Sequence, residues 1–534
     1  MNNSFSQKGC EATMAFPPTG KWYMEILAIS KTQGNWNYGC IGLKHAETSY
    51  ATQGYNSDGD SGNNFIQANL YHSSNRGGDI GTRASFWTDT NQPDTLTVFQ
   101  IAVDSDNNKA YLGKNNVWYG SANPASNTGT AWLSGGFSDF GMTFMMDDKY
   151  GQKMGVNFGQ DSSFSGRKTA QGNQDSNDIG DFYYTPPTGF LALCTDNLPD
   201  VAVTPSEHFN TVLWTGNGST QSITGVGFQP DMVWGKQRTE AYHHTIWDAV
   251  RGATKEIFPN RTVAEQTEST GLTSFDSDGF TLGSRGNTNE NGDSIVGWNW
   301  KANGSGSSNT DGSVTTTVSA NTDAGFSIVT YTGTGSSATF GHGLSKAPEI
   351  SFYKIRSQSY QWMVYTGNVA STTTLVLNGT DTGYNSGGTW GTHGASTFAL
   401  LSNADVNGSG QTYVSYHFHS VDGYSKVGTY TGNGNADGTF VYTGFRPSVI
   451  LCKQSSGGQA WQIHDTARDT YNLATKVLFP NSSSAEQDSA NNGACDILSN
   501  GFKWRMSDSD QNGNGETYVY LAFAETPFKY SNGR

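Results

Sequence analysis

The chain has 534 residues, too many for one hydrophobic core and enough for roughly three to four domains. Charged residues make up only 14%, and the formal charge of −15 with 31 basic side chains excludes a phosphate-tracking nucleic-acid surface. Aromatic residues at 13% exclude a disordered chain, and no run approaches the ~18 apolar residues of a membrane span.

The predicted elements are nearly all strands. Met1–Phe16 has neither the basic nor the apolar region of a signal peptide, and residues 1–19 read as an N-terminal arm. Trp22-Tyr-Met-Glu-Ile-Leu-Ala-Ile29 and Leu96-Thr-Val-Phe-Gln-Ile-Ala-Val103 are β-branched or aromatic runs bounded by Gly, Asn, Asp and Ser. Asp104-Ser-Asp-Asn-Asn108 is a polar turn between two such runs, and helix is expected only as a turn or two, for instance at Asp248–Lys255 and Asp465–Ala474.

The series Gly20-Lys-Trp-Tyr-Met-Glu25, Gly39-Cys-Ile-Gly42, Phe99 to Trp118 and Val156-Asn-Phe-Gly-Gln160 resembles a SPRY (concanavalin-like) domain over 20–165. That resemblance implies a β-sandwich in which Val156–Gln160 is the closing strand. It departs from the family pattern at Asn115-Asn116, where the family has Asn-Gly.

Residues 166–207 read as a Pro-containing connector, after which the sequence repeats itself. Three copies each open on an aromatic-Thr-Gly turn: Trp214-Thr-Gly-Asn-Gly218, Tyr331-Thr-Gly-Thr-Gly335 and Tyr430-Thr-Gly-Asn-Gly434. A Pro-led strand follows in each, and the copies close on Ser294-Ile-Val-Gly-Trp-Asn-Trp300, Thr412-Tyr-Val-Ser-Tyr-His-Phe418 and Thr517-Tyr-Val-Tyr-Leu-Ala-Phe523. The copies lie at 208–302, 325–420 and 427–526. A period of about 95 residues suits an autonomous sandwich rather than a solenoid repeat. Residues 303–324 read as a flexible Gly/Ser linker, 421–426 as a connection too short for independent motion, and 527–534 as a tail. The fold class is therefore all-β, a SPRY/concanavalin-like sandwich followed by three tandem β-sandwich repeats.

Five widely spaced cysteines without a C-x-x-C pair read as reduced, buried thiols, with a Cys452–Cys495 bridge as the alternative. Nucleotide and hydrolase motifs are absent: Gly20-Lys21, Gly113-Lys114 and Gly235-Lys236 lack the following Ser or Thr, and neither H-E-x-x-H nor G-x-S-x-G occurs. No cofactor is expected. His417 and His419 alternate on one strand, but their counterparts are Asn299 with Lys301 and Ala522 with Ala524, so they read as surface or interface histidines rather than metal ligands. Adjacent His243 and His244 would point to opposite faces. The sequence Asp508-Ser-Asp-Gln-Asn-Gly513 offers Asp508, Asp510 and Asn512 in calcium-loop spacing, yet its twelfth position is Val519 and the equivalent loops lack the pattern, so a hairpin turn is expected. Asp58-Gly-Asp60 is a second oxygen-rich loop. Tyr50, Tyr55, Trp118, Tyr119 and Trp390 are the candidate ligand-stacking aromatics.

The closing Tyr520-Leu-Ala-Phe-Ala-Glu-Thr-Pro-Phe-Lys529 and Gly423-Tyr-Ser-Lys-Val-Gly-Thr-Tyr-Thr-Gly-Asn-Gly434 resemble a module of tailed-bacteriophage virion and tail-fibre proteins. The resemblance implies a non-enzymatic structural subunit in the virion, made in the host cytoplasm. Its partners would be other virion proteins and a host surface glycan or protein, with no nucleic acid and no membrane insertion. A capsid-decoration or fibre-shaft component and a glycan-degrading spike are the alternative readings. Open sandwich edges further suggest a homo-oligomer, a trimer above all. Binding is expected at the loops Arg285–Asp293, Asn403–Gly410 and Asp508–Gly515.

Overall fold

Alternation governs the closing strand of every copy. Val296, Trp298 and Trp300 lie on one face of theirs, as do Val414, Tyr416 and Phe418, and Val519, Leu521 and Phe523, while the intervening residues face the other way. In a computed structural model the described residues are 8–17, 19–30, 40–45, 65–69, 75–77, 94–134, 142–148, 153–198, 203–368, 373–385, 387–490 and 493–527. Among the described residues strands predominate and helix is confined to single turns, so the protein is all-β. Two compact units divide it, one built essentially on Met1–Asp200 and the other on Val201–Thr439 with Thr443–Pro527.

The first unit is a sandwich. One sheet orders Lys8–Phe16, Met142–Asp148, Cys40–His45, Phe65–Asn69 and Asn75–Gly77; the other orders Lys153–Asn157, Lys21–Ser30, Val98–Asp104, Lys109–Lys114 and Val117–Trp118. Phe16, Ile41 and Leu43 from the first sheet pack with Trp22, Met24, Ile26, Phe99 and Ile101 from the second. The strand Lys153–Asn157 does pair with Lys21–Ser30, and the polar turn at 104–108 joins two paired strands. The connector belongs to this unit further than its prolines suggest. Leu191–Ala192 adds to the sheet in parallel beside Trp22 and Tyr23, and the buried Glu25 carboxylate accepts from the Tyr183 and Tyr184 amides at 2.8 and 2.7 Å.

In the second unit each copy repeats one strand order. Copy 1 runs Phe209–Thr215, Ser294–Trp300, Met232–Gln237, Thr245–Asp248. Copy 2 runs Phe326–Thr332, Thr412–Phe418, Ile350–Ile355, Met363–Thr366, and copy 3 runs Ser425–Thr431, Thr517–Pro527, Phe445–Gln454, Gln462–Asp465. Each copy also carries a second sheet, and copies 1 and 2 hold a core of their own between the layers, as the sandwich reading expects. The inner faces of their sheets meet in a single core to which all three contribute. Trp300, Phe418 and Phe523, the last alternating residue of each closing strand, form a triangle with ring separations of 6.4, 5.7 and 5.8 Å. A rotation axis of pseudo-threefold symmetry therefore runs through one chain, and equivalent groups lie at one level around it because a ring that closes after three steps has no rise.

The supposed linker is also structure. Ser307–Asn309 and Thr316–Asn321 pair with each other and extend the copy 2 sheet to eight strands. Gly306, at φ +81°, turns the chain into that ribbon, so the glycines that suggested flexibility make the corner. The stretches at 248–255 and 465–474 are turns rather than helix.

Candidate functional site

The ring is held at equivalent positions of each seam. The indole of Trp362 in copy 2 donates to Phe258 O of copy 1 at 2.9 Å, and that of Trp461 in copy 3 donates to Val376 O of copy 2 at 2.9 Å. At the third seam the equivalent position is His244 of copy 1, whose Nε2 lies 3.0 Å from Phe479 O of copy 3. Two seams add a buried ionic clasp. Between copies 2 and 1, Asp248 accepts from Arg251 and, at 2.7 Å, from the Tyr416 hydroxyl, while Glu265 bonds Arg251 and takes the Arg356 fork at 2.8 and 3.0 Å. Between copies 1 and 3, Asp465 accepts from Arg468 and the Trp298 indole, while Glu486 bonds Arg468 and takes the Arg238 fork at 2.9 and 2.7 Å. The seam between copies 3 and 2 has Thr366, Gly383 and Ser455 in the corresponding places, where the clasp is reduced, among the described residues, to its main-chain bond, Gly383 N to Ser455 O at 3.0 Å. Burial by itself would raise the carboxyl groups of Glu265 and Glu486; the two guanidinium groups on each outweigh it and hold both below the usual carboxylate range.

Inside the ring, residues of all three copies, Trp234, Trp298, Phe352 and Leu451 among them, line a void of about 30 Å³. Its walls are apolar, so water finds no partners there, and it is far below the roughly 300 Å³ at which ligand pockets begin. The axis is a packing gap and not a site.

A set of equivalent loops precedes the closing strands. Each carries one helical turn, Gly286–Asn289, Ala404–Asn407 or Ser509–Asn512, ending on a fully buried asparagine. The amide of Asn289 donates to Gly283 O and Ser219 O, that of Asn407 to Leu401 O and Ser336 O, and that of Asn512 to Met506 O and Asn435 O. The three side-chain oxygens accept from the Asn217, Thr334 and Asn433 amides. The aromatic-Thr-Gly motif thus has a mechanical explanation: its first glycine sits against the loop, where a Cβ at Gly216, Gly333 or Gly432 would meet a carbonyl oxygen at 2.1, 2.4 or 2.3 Å. The loops differ in how they start. Asn403 and Asp508 cap their turns with a side-chain oxygen, whereas Arg285 cannot and instead reaches Glu268 at 2.9 Å and the buried Glu256 at 3.3 Å.

The sequence-predicted site residues meet different fates. In the calcium-like loop the Asn512 oxygen is occupied by the Asn433 amide, Asp508 caps the helical turn, and Asp510 accepts from the Gln462 amide at 3.2 Å. Among the described residues no group of three His, Cys, Asp or Glu side chains is placed to hold a metal. Trp390 is no exposed stacking platform: it is 8% exposed, its indole donates to Thr374, and its ring packs against Tyr353 and Tyr365. Trp118 and Tyr119 are half-buried, and Tyr50, Tyr55 and Asp58–Asp60 lie outside the described residues. His417 and His419 are buried rather than superficial, because copy 2 closes a second layer over them. Of the adjacent pair, His244 is wholly buried at a seam. Cys452 and Cys495 are free and buried, so the alternative bridge is not formed. Sequence reasoning missed the clasp residues, although the shared Asp248/Arg251 and Asp465/Arg468 spacing of copies 1 and 3, absent from copy 2, was a visible signal.

Three comparisons bear on this architecture. The family described as "Domain of unknown function (DUF7483)" matches residues 204–527, the whole of the ring. No curated protein matches the chain. Among solved structures, the crystal structure of the SPRY domain of human HERC1 is similar to 28% of this chain and 80% of its own, at 10% identity and a TM-score of 0.20.

Proposed function

From the premise that this chain belongs to the DUF7483 family, which is defined without a function, we propose that it is a structural and recognition subunit of a tailed-phage virion. In this reading it is a tail fibre or tail-associated adhesin that binds a host surface glycan or protein and leaves it chemically unchanged. One observation carries the reading: a closed ring with an apolar axis presents three equivalent, rigidly pinned loops at one level, and those loops differ in sequence. Rigid loops lose little conformational entropy on binding, and their differing charges allow distinct contacts from one scaffold. The SPRY-like N-terminal unit, with Trp118 and Tyr119 half-open, is a second recognition module in the same reading.

Two measurements test it. Antibody against the purified protein should label intact virions at the tail, and the protein should bind host cells or their envelope polysaccharide. Label confined to the capsid would turn the reading into a decoration protein. Steady release of reducing ends from that polysaccharide, lost on replacing one Asp or Glu, would make it a glycan-degrading enzyme.

A further inference from the structure

Copy 2 differs from its neighbours in what lies over the outer face of its main sheet. Copy 1 covers that face with three strands, Gln221–Thr224, Gly279–Leu282 and Leu272–Asp276, and copy 3 likewise with a three-stranded sheet that includes Gly501–Trp504 beside Cys495–Leu498. In copy 2 the described cover is a two-stranded ribbon, Ala338–Gly341 with Thr397–Leu400, whose Phe340, Phe398 and Leu400 pack on Tyr353, Tyr413 and Trp390.

Three imidazoles are sandwiched there. His417 projects from the main sheet toward the ribbon, with Ser351 Oγ 2.9 Å from Nδ1, Ser415 Oγ 2.8 Å from Nε2, and its ring 4.6 Å from that of Phe398. His342 ends the first ribbon strand, 6.1 Å from the His417 ring; its Nδ1 accepts from the Leu344 amide, which leaves Nε2–H to donate to Gly394 O. His393 lies on Tyr365 at 3.9 Å, donates from Nδ1 to Gly391 O, and meets the Tyr353 hydroxyl at 3.4 Å. The His342 arrangement demands a neutral ring, because a proton on Nδ1 would face the Leu344 N–H. Among the described residues no carboxylate contacts any of the three. The charged groups acting on His342 are His419 and Asp311, those on His419 are Lys346 and Glu349, and His417 and His393 are influenced only by other histidines of the cluster.

We infer that His342, His393 and His417 form an acid-sensitive catch: neutral, they fasten the ribbon to the copy 2 sheet, and protonated, they repel one another beneath it and release it while copies 1 and 3 stay packed. Burial pushes all three rings below the ordinary 6.5, His393 to about 4. An exposed imidazole takes up its proton near pH 6.5, so the open form binds protons first, and the closed form loses ground as pH falls from 6.5 toward 4. The clasps respond later. Two guanidinium groups hold Glu265 and Glu486 below the usual carboxylate range, so they take up protons at lower pH than an ordinary carboxylate does.

Hydrogen exchange followed by mass spectrometry on the full chain, at steps from pH 7.5 to 4.5 and corrected for the intrinsic rate, reads this directly. Peptides covering 338–342 and 390–400 should lose protection at least tenfold before 279–282 and 501–504 do. The double variant His417→Asn with His393→Gln, the first borrowing Asn299 of copy 1, should move that loss at least half a pH unit lower. His464→Gln, at a lone buried histidine of copy 3, should leave it in place. Equal loss in all three copies, or an unmoved midpoint in the double variant, would overturn the inference. Should the double variant fail to fold, the imidazole signals of the unaltered protein decide: they must titrate together with the loss of protection, and opening without their titration would refute the catch.

Discussion

Asn289, Asn407 and Asn512 occupy one position and make one set of bonds, so their amides are not interchangeable with shorter side chains. Replacing Asn512 by Ala would strand the Asn433 amide and the Asn435 and Met506 carbonyls inside the loop. Unmet buried groups cost about 1–3 kcal/mol each where water cannot reach them. We expect Asn512→Ala to lower stability by about 3 kcal/mol or more in urea titration, and to blunt binding if that loop is a contact. Glu256 titrates the opposite way from the histidines. Burial raises its carboxyl to about 7 despite Arg285 nearby, so the folded state holds a proton that the unfolded state releases near 4.5. Stability from this group is present below 4.5 and lost as pH rises toward 7. Glu256→Gln should therefore flatten that part of the stability profile, and an unchanged slope would show that Glu256 is already ionised in the fold. The three equivalent lysines, Lys236, Lys354 and Lys453, are buried too. Each ammonium is tolerated because main-chain carbonyls surround it: Gln237 and Glu240, Thr262 and Tyr360, Gln454 and Gly457.

Among the elements, the seams decide how the ring holds. Glu486 joins two arginines from different copies and is nearly buried, so Glu486→Gln leaves both guanidinium groups short of charge in a low-dielectric seam. Breaking such a pair by removing one partner typically costs about 3–5 kcal/mol. Arg505, whose side chain is 40% exposed and pairs with Asp437 and Asp496, offers the contrast. Exposed pairs contribute about 0–1 kcal/mol, so Arg505→Ala should shift the urea midpoint little. A Glu486→Gln effect no larger than that of Arg505→Ala would mean that the clasp orients the seam without stabilising it.

At the scale of the whole molecule, the shared core has a consequence for cooperativity. No copy can leave the ring without exposing the inner faces of the other two, so at pH 7.5 copies 1 to 3 should unfold in urea as one transition. Three separable transitions, followed by hydrogen exchange peptide by peptide, would instead favour independent sandwiches. The proposed trimer of chains belongs to this scale as well. Mass measurement at micromolar concentration should return three times the chain mass, and a monomer would remove that part of the proposal.

The sequence by itself determined the all-β class, the number of copies and the positions of their strands, because alternation and turn residues act over a few neighbours and repeat in the same order. It also identified Trp300, Phe418 and Phe523 as equivalent without indicating that they touch. Only the tertiary structure decided that the copies close on a common axis, that the glycine-rich 303–324 becomes sheet, that Trp390 and His417 are interior, and that Asn512 is a clamp instead of a cation ligand. Those outcomes depend on contacts between residues 13 to 248 positions apart, from Thr317 with Thr330 to Glu486 with Arg238. Local patterning cannot encode such contacts, since a buried asparagine and a ligating one look alike until the surrounding carbonyls are in place.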